Sequence, residues 1–564
     1  MAAEYTEWYH HVILIVATFI CGFGYGLDGS VRYVYTSYAA SSYSSHPLIS
    51  TLTVINAIIS AAAYIVFARL SDVFGRLSLF ITAVVFYVVG TIIQSQAYDI
   101  QKYAAGSVFW TIGYVGIMIL LILIVSDFSS LRWRLLYQFV PSWPTIINTW
   151  IAGLITARAN PLQNWSWDIA MWAFIIPLSC LPIVFCMIHM RYKAGKTLQW
   201  KALQDEKSLY QAHGLFKTVN ELFWKLDVIG LLLMVISIGC ILAPLTLAGG
   251  TSSKWGNSHI IGPFVLGFVL LPIFLLWESK WSKTPIIPYK LAKDRAVWAA
   301  LGSQFLIGFI YNLAAGYIYT ILIVAVNESV NSATVISSLS SFVSSAASPF
   351  FSLWMVRRSR MKGYIIGGCG LWMLAMGLLN HYRGGSFAHS GIIGAMVVWG
   401  IGDTLLIYPV TISVQSSVSH DNMATVTALN YTVYAIGLAV GSAVSGAIWT
   451  QSLYGQLLKH LKSVDLASAA YNAPFEFIVD YLWDSTERNA MVEAYRYVQR
   501  YETIVALVFT VPLLVFSLCL RDPPLTDKVA QENIEEGEYV DIHHDDPISD
   551  WFVEKWRRII PKKE

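Results

Sequence analysis

Two acidic residues of this chain lie inside long apolar segments, where a charge needs a specific reason to be present. Asp28 precedes Arg32 by about one helical turn, and Asp403 occupies the middle of another apolar segment. A carboxylate at membrane depth is costly unless it is paired, protonated or facing water, and such residues often carry protons. We therefore predict that Asp28, Arg32 and Asp403 couple proton movement to a conformational change. The structural alternatives are a permanent Asp28–Arg32 ion pair and a protonated, hydrogen-bonded Asp403.

Aromatic and amide side chains recur at helical spacing in the same kind of segment. Asn56 and Tyr64, for example, lie on a stripe of residues four positions apart. A polar stripe on a membrane helix faces protein or water rather than lipid, so it either lines a cavity or holds helices together. Aromatic faces with amide groups suit a bulky ligand of low charge. The residues predicted to line such a cavity are Tyr25, Asn56, Tyr64, Asn148, Trp150, Gln304, Tyr311, Asn312, Tyr319 and Tyr434.

The elements that position these residues are predicted to be membrane-spanning helices. Of the 564 residues, 56% are hydrophobic and only 13% are charged, whereas soluble domains carry about 25% charged residues. The apolar residues fall in runs of about 20, the length that crosses a bilayer as a helix. This pattern excludes a soluble enzyme and a secreted disulfide scaffold, and the net charge of +2 gives no sign of a nucleic-acid partner.

Fourteen such spans are predicted, arranged as six, two and six in an all-α polytopic membrane protein. The predicted divisions are an N-terminal six-helix bundle over 1–190, a cytoplasmic linker at 191–225, two extra helices with their loop at 226–295, a C-terminal six-helix bundle over 296–520 and a cytoplasmic tail at 521–564. The excess of lysine and arginine on alternate loops places both termini in the cytoplasm.

Two features of the loops agree with this orientation. The glycosylation sequons at Asn164 and Asn327 both fall on the outer side. The long outer loop 451–501 is predicted to fold into a small helical lid over the outer mouth, with a passive solvated connector as the alternative. The aromatic residues expected to form the lid are Phe475, Phe477 and Trp483.

The segment 68–76 resembles the signature loop of the major facilitator superfamily, with Ala68 in place of the first glycine. Asp72 can sit at a helix N-terminus and pair across the cytoplasmic interface, Gly75 permits a sharp turn, and Arg76 keeps positive charge on the inner side. We predict that Asp72, Gly75 and Arg76 take part in gating; an ordinary basic loop is the alternative. The resemblance implies the major facilitator fold.

A second resemblance covers nearly the whole chain. The segments that carry it are 25–33, 41–44, 126–130, 148–150, 171–174, 244–250, 445–450, 495–499 and 535–541. They are similar to the fungal siderophore–iron transporter family. The resemblance implies proton-coupled import of ferric hydroxamate siderophores such as ferrichrome, by alternating access, at the plasma membrane and at endosomal and other vesicle membranes. Iron would arrive already chelated, so neither a protein metal site nor a cofactor is expected, the proton gradient supplies the energy, and a monomer in the bilayer suffices.

Three positions depart from the family pattern. Gly316 and Ala435 stand where several members carry an aspartate and a basic residue, and Asp403 stands where they carry an uncharged residue. Loss of the basic residue disfavours an anionic ligand such as glutathione, which a sister branch exchanges for protons. That exchanger, a multidrug exporter and a siderophore sensor that does not transport are the alternatives. The chain carries no catalytic motif and is predicted not to be an enzyme.

Overall fold

The computed structural model describes residues 7–129, 132–196, 209–286, 293–358, 360–385, 387–418, 420–523, 525, 546–548 and 551. Within these ranges the regular structure is helical throughout, and no β-strand occurs. The predicted all-helical architecture is therefore confirmed. The helices of the first half are α1 (Trp8–Ser42), α2 (Ile49–Phe74), α3 (Arg76–Ser95), α4 (Ile100–Asp127), α5 (Arg134–Phe139), α6 (Thr145–Ala159), α7 (Pro161–Ala170) and α8 (Trp172–Ala194).

A linker helix and a helical pair connect this half to the second one. They are α9 (Leu209–Leu226), α10 (Val228–Leu247) and α11 (Ser258–Leu276). The second half consists of α12 (Arg295–Ala315), α13 (Ile318–Ala325), α14 (Val330–Ser337), α15 (Leu339–Arg358), α16 (Lys362–His381), α17 (Ala388–Gln415), α18 (His420–Leu461), α19 (Val464–Asn472), α20 (Pro474–Asp480) and α21 (Thr486–Cys519).

Thirteen helical segments of the described ranges are long and apolar enough to cross a membrane. The predicted span 135–156 is not one of them, because it is divided into α5, a single turn (Val140–Ser142) and α6. Pro141 and Pro144 lie at the two divisions. Proline lacks a backbone N–H, and its ring displaces the preceding turn, so it interrupts a helix at such points.

Each half has its own hydrophobic core, and the helical pair seals part of the junction between them. One core is built mainly from α1–α4 and α8, and the other mainly from α12–α21. A third, smaller cluster joins α2, α10 and α18 through Ala57, Leu242 and Ala443. The inserted helix α10 therefore packs along the line where the two halves meet.

Glycine allows a close contact between two helices of the second half. A Cβ atom on Gly437 or Gly441 of α18 would overlap the backbone carbonyl group of Phe305 or Phe309 on α12. Small residues at such a crossing let two membrane helices approach until their backbones touch.

The two faces of the bundle are distinguished by the contacts of the chain ends. On the face where α1 begins and α21 ends, here called the terminal face, Lys193 Nζ lies 2.9 Å from His10 Nε2, and Arg521 forms an ion pair with Asp294 at 3.2 Å. The other face, here called the opposite face, contains the α1–α2 connection and the short helices α19 and α20.

Candidate functional site

The Asp28–Arg32 pair lies inside the first half and is almost completely enclosed. The Arg32 guanidinium donates to both carboxylate oxygens of Asp28 at 3.0 and 3.2 Å. It also donates to Gln94 Oε1 at 2.6 Å and to the Tyr87 hydroxyl at 3.2 Å. Trp110 Nε1 donates to Asp28 at 3.3 Å, and its ring lies 5.0 Å below the guanidinium. Asp28 is 0% exposed and Arg32 is 2% exposed, so both charges are balanced by protein groups.

Tyrosines from both halves converge where the halves meet. The rings of Tyr25 and Tyr114 lie 5.5 Å apart, and Tyr408 and Tyr431 lie near Tyr25. The Tyr64 and Tyr431 rings, one from each half, lie 5.5 Å apart. We call this set the central tyrosine cluster; its members are Tyr25, Tyr64, Tyr114, Tyr311, Tyr408, Tyr431 and Tyr434.

The structure brings four of the predicted cavity residues together in this cluster, namely Tyr25, Tyr64, Tyr311 and Tyr434. Sequence reasoning missed Tyr114, Tyr408 and Tyr431, because each is a single tyrosine outside any regular polar stripe. Tyr408 is held by the turn between α5 and α6, since its hydroxyl lies 2.8 Å from the Ser142 hydroxyl next to Pro141. The sequence feature that could have identified these three residues is a tyrosine inside an apolar span, because a buried hydroxyl requires a polar partner.

Three amides near the junction keep an unused acceptor. Asn148, Gln304 and Asn430 are at most 1% exposed. Their NH₂ groups are anchored, by the Phe23 carbonyl for Asn148 and by Thr411 for the other two. Their side-chain oxygens have no hydrogen-bond partner among the described residues. A buried acceptor without a donor is costly, which indicates that water or a ligand supplies one.

The other predicted amides hold helices together. Asn312 donates to the Leu438 carbonyl at 3.0 Å and to Ser442 Oγ at 2.5 Å, which joins α12 to α18. Asn56 accepts a hydrogen bond from Ser107 Oγ at 2.8 Å, which joins α2 to α4. Trp150 is 52% exposed on the outside of α6, with its ring 5.8 Å from that of Phe342. The side-chain partners of these three residues are not members of the central tyrosine cluster.

Asp403 lies within an aromatic environment of the second half. Its side chain accepts a hydrogen bond from Trp372 Nε1 at 3.0 Å and is 3% exposed. The rings of Trp372 and Trp399 lie 6.0 Å apart, and Trp399 in turn contacts Tyr311 of the cluster. In the described part of the chain no lysine or arginine forms an ion pair with Asp403.

The terminal face is closed by contacts between the halves. Arg132 Nε donates to the Val356 carbonyl at 3.0 Å, and Gln138 Nε2 donates to Gln415 Oε1 at 3.1 Å.

The signature loop lies on the same face. Gly75 has a φ of +78°, a conformation that L side chains rarely adopt, and it makes the turn between α2 and α3. Arg76 forms an ion pair with Asp127 at the end of α4. The prediction that Asp72 lies at a helix N-terminus is wrong, because α2 continues to Phe74 and places Asp72 in its last turn. The side chain of Asp72 lies outside the described residues.

The opposite face is closed as well. The Tyr33 hydroxyl of α1 donates to the Ala315 carbonyl at 3.0 Å, where α12 ends. His46 Nε2 lies 3.1 Å from the Thr320 hydroxyl, and Tyr319 contributes to this seal through the Tyr38 hydroxyl at 3.4 Å.

Two short helices lie over this seal. Only residues 462–485 separate α18 from α21, because both helices extend beyond the predicted spans, and α19 and α20 form within this interval. Phe475 and Phe477 of α20 are 3% and 4% exposed, and the Phe475 ring lies 4.6 Å from that of Tyr38. Trp483 is partly buried below the guanidinium of Arg488, at 5.6 Å.

Three further polar residues lie at the opposite face outside the spans. The sequon residues Asn164 and Asn327 both have exposed side chains. Asp168 of α7 is 7% exposed, and this burial raises the pKa of its carboxyl to about 6.

Sequence comparison shows strong similarity to fungal transport proteins. The chain is 64% identical over 564 residues to the siderophore iron transporter ARN1 of Saccharomyces cerevisiae, covering 100% of this chain and 90% of that protein. It is 55% identical over 560 residues to siderophore iron transporter ARN2 of the same yeast, covering 99% and 90%. It is 30% identical over 538 residues to the MFS siderochrome iron transporter C of Aspergillus fumigatus, covering 93% and 87%. No family model matches.

Solved structures with the same fold are also transporters. A bacterial homolog of the human lysosomal transporter Spinster, in an inward-facing and occupied conformation, is 15% identical with a TM-score of 0.54, covering 91% of this chain and 97% of that one. A peptide transporter, POT, is 14% identical with a TM-score of 0.53, covering 90% and 95%. At these identities the likeness establishes the fold alone.

Proposed function

The chain belongs to the siderophore iron transporter family of the major facilitator superfamily, and from this membership we propose that it imports ferric hydroxamate siderophores such as ferrichrome together with protons. Its close relatives are transporters, so the chain is a membrane transporter and not an enzyme, as the sequence predicted. The observation that carries the proposal beyond family membership is the central tyrosine cluster, to which both halves contribute at their junction.

The cluster suits a ligand of this class. A ferric trihydroxamate encloses its metal, so the protein meets an amide-rich organic surface rather than an open coordination site. Tyrosine rings offer apolar contact area with a polar edge. The free oxygens of Asn148, Gln304 and Asn430 can accept hydrogen bonds from peptide N–H groups of the ligand. Ala435 is 1% exposed and adds no positive charge, which favours a neutral ligand over glutathione.

The proposed topology has fourteen spans, with 134–159 crossing as a broken helix in addition to the thirteen continuous ones. Broken helices at membrane depth are tolerated where they are buried in protein or line a cavity. The terminal face is then cytoplasmic and the opposite face is outer, with Asn164 and Asn327 available to glycosylation. We assign the protein to the plasma membrane and to endosomal and other vesicle membranes, as a monomer.

We propose that the closed contacts at both faces belong to an occluded step of alternating access. Import requires the outer contacts, such as Tyr33 to Ala315, to open while the cytoplasmic contacts hold, and then the reverse. Arg76, Gly75 and Asp72 lie at or beside the cytoplasmic contacts and are proposed to act in that second opening. Asp28, Arg32 and Asp403 are proposed to take part in proton coupling.

The test is uptake of radiolabelled ferric ferrichrome into yeast that lacks its own siderophore transporters, at acidic and at neutral pH, with and without an uncoupler. We expect saturable uptake that is faster at acidic pH and abolished by the uncoupler. An uptake rate that is unchanged by the uncoupler would refute symport. Surface-expressed protein that binds the chelate without uptake would favour the sensor, and glutathione release without uptake would favour the exchanger.

A further inference from the structure

Glu502 of α21 is a buried acid that the predicted stripes and motifs do not include. Its side chain is 2% exposed, and its hydrogen-bond donor is the Ser445 hydroxyl of α18, at 2.7 Å. In the described part of the chain no lysine, arginine or histidine forms an ion pair with it. An ionised carboxylate at membrane depth with one hydroxyl donor and no cation is strongly disfavoured. The occluded conformation therefore holds Glu502 as the neutral acid.

Glu502 lies close to the interruption between α12 and α13, where the contacts of the outer face are made. Helix α12 ends at Ala315, and α13 begins at Ile318. The Ser445 hydroxyl that binds Glu502 also borders this break, since a Cβ atom on Gly316 would lie 3.4 Å from it. On the other side of the break, the Tyr33 hydroxyl donates to the Ala315 carbonyl at 3.0 Å.

The electrostatic environment of Glu502 is composed of tyrosines and helix carbonyls. The titratable side chains that interact with it from the elements packed around α21 are Tyr33 of α1 and Tyr317 at the break. The Tyr317 hydroxyl donates to the Pro47 carbonyl at 3.3 Å, so it also joins the two halves. Neither α16 nor α18 contributes a charged group that interacts with Glu502 within the described ranges.

The charge of Glu502 therefore affects whether the contacts of the outer face can close. The carbonyls at the end of α12 carry the partial negative charge of a helix C-terminus, which a nearby anion destabilises. A neutral Glu502 leaves these carbonyls free to accept from Tyr33. An ionised Glu502 would repel them and would draw water into the break, which favours an open outer face.

We propose that Glu502 is a proton-holding residue of the transport cycle, which takes a proton from the outer solution before the outer face closes and keeps it until the cytoplasmic face opens. The inference rests on the proposed proton-coupled import. When the cytoplasmic face opens, this proton leaves Glu502 inward. Tyr33 lies near both Glu502 and Tyr311, and Tyr311 lies near Asp403, so these groups border the route.

The test compares Glu502→Gln with the wild type in proteoliposomes loaded with ferric ferrichrome or empty. Glutamine mimics the neutral acid but cannot release a proton. We expect Glu502→Gln to exchange labelled for unlabelled chelate at near wild-type rate, while its accumulation driven by a pH gradient falls at least tenfold and its rate no longer varies with pH. Glu502→Asp should restore part of the pH dependence.

The matched control is Glu493→Gln on the same helix. Glu493 is exposed and pairs with Arg496 at the surface, so this variant should keep both exchange and accumulation. Uphill accumulation by Glu502→Gln with the wild-type pH profile would overturn the proposal. If Glu502→Gln does not reach the membrane, Ser445→Ala decides: loss of the donor should move the midpoint of the pH profile upward, and an unchanged midpoint would overturn the proposal.

A measurement without substrate separates this inference from the proposed function. Infrared titration of the ligand-free wild type should show a protonated carboxyl band that weakens in Glu502→Gln. Identical bands in both proteins would overturn the assignment. A wild type that takes up no siderophore would instead refute the proposed function, and the infrared result would still decide whether Glu502 holds a proton.

Discussion

Removal of one charge at a time from the Asp28–Arg32 pair should have unequal effects on stability. In Asp28→Asn, Arg32 keeps Gln94 and Tyr87 as acceptors and its position over the Trp110 ring. In Arg32→Met, Asp28 keeps the Trp110 N–H and the Tyr87 hydroxyl as neutral donors but remains a buried carboxylate without a cation.

The magnitudes follow from these partners. Breaking a buried ion pair by removal of one partner costs about 3–5 kcal/mol, and this full cost applies to Arg32→Met. Asp28→Asn weakens the charge-assisted hydrogen bonding between residues 28 and 32, at a cost of about 1–3 kcal/mol, because the guanidinium is still satisfied elsewhere. The double variant removes both charges, so it should be more stable than Arg32→Met alone, in spite of carrying one more substitution.

The assay is thermal or denaturant unfolding of the purified variants in one detergent, with Arg496→Met as a control because its pair with Glu493 is exposed. An exposed pair of this kind is worth less than about 1 kcal/mol. A double variant less stable than Arg32→Met would refute the reasoning that the uncompensated carboxylate dominates the cost. Asp28→Asn should also lower pH-driven uptake, and normal uptake in that folded variant would assign the pair to structure alone.

Three other substitutions test the packing, the cluster and the pH response. Gly441→Leu should abolish folding or cost several kcal/mol because it collides with the α12 backbone, whereas Gly455→Leu on the same helix meets open space and should be tolerated, as judged by yield of monodisperse protein. Tyr431→Phe should raise the KM for chelate uptake about tenfold by removing a buried hydroxyl, and Tyr497→Phe at an exposed site should not. Asp168→Asn should raise the unfolding temperature at neutral pH. The folded-state pKa of Asp168 is raised to about 6, so the ionised carboxyl destabilises the fold at neutral pH. The gain in stability from the substitution, about 1 kcal/mol after solvent screening, should vanish as pH falls below about 4.

The sequence predicted the helical architecture well because each span is a long apolar run. It did less well where proline divides a span: 135–156 has the composition of one helix, but Pro141 and Pro144 split it. The extensions of α18 and α21 beyond the lipid-facing runs were also missed, because charged residues there resemble a loop when hydropathy is averaged.

Site residues were harder to predict because hydropathy does not tell which side of a helix faces the junction. Asn148 and Trp150 lie two residues apart on α6, and only Asn148 is buried. Glu502 begins the last predicted span, so it has the appearance of a boundary residue. Its burial depends on α18, which is distant in sequence and supplies Ser445. Such neighbours become visible only in the folded chain.

Three of the buried acids lie within the long apolar helices of the described ranges, and the two halves satisfy them differently. Asp28 of the first half is neutralised by Arg32 within one helix, whereas Asp403 and Glu502 of the second half have only neutral donors. An ion pair with several partners responds weakly to a change in pH, while an acid without a cation must bind a proton whenever water leaves it. We therefore expect closure of the second half to be linked to proton uptake. Tyr33 reaches from the first half to the end of α12 and is proposed to transmit that closure across the junction.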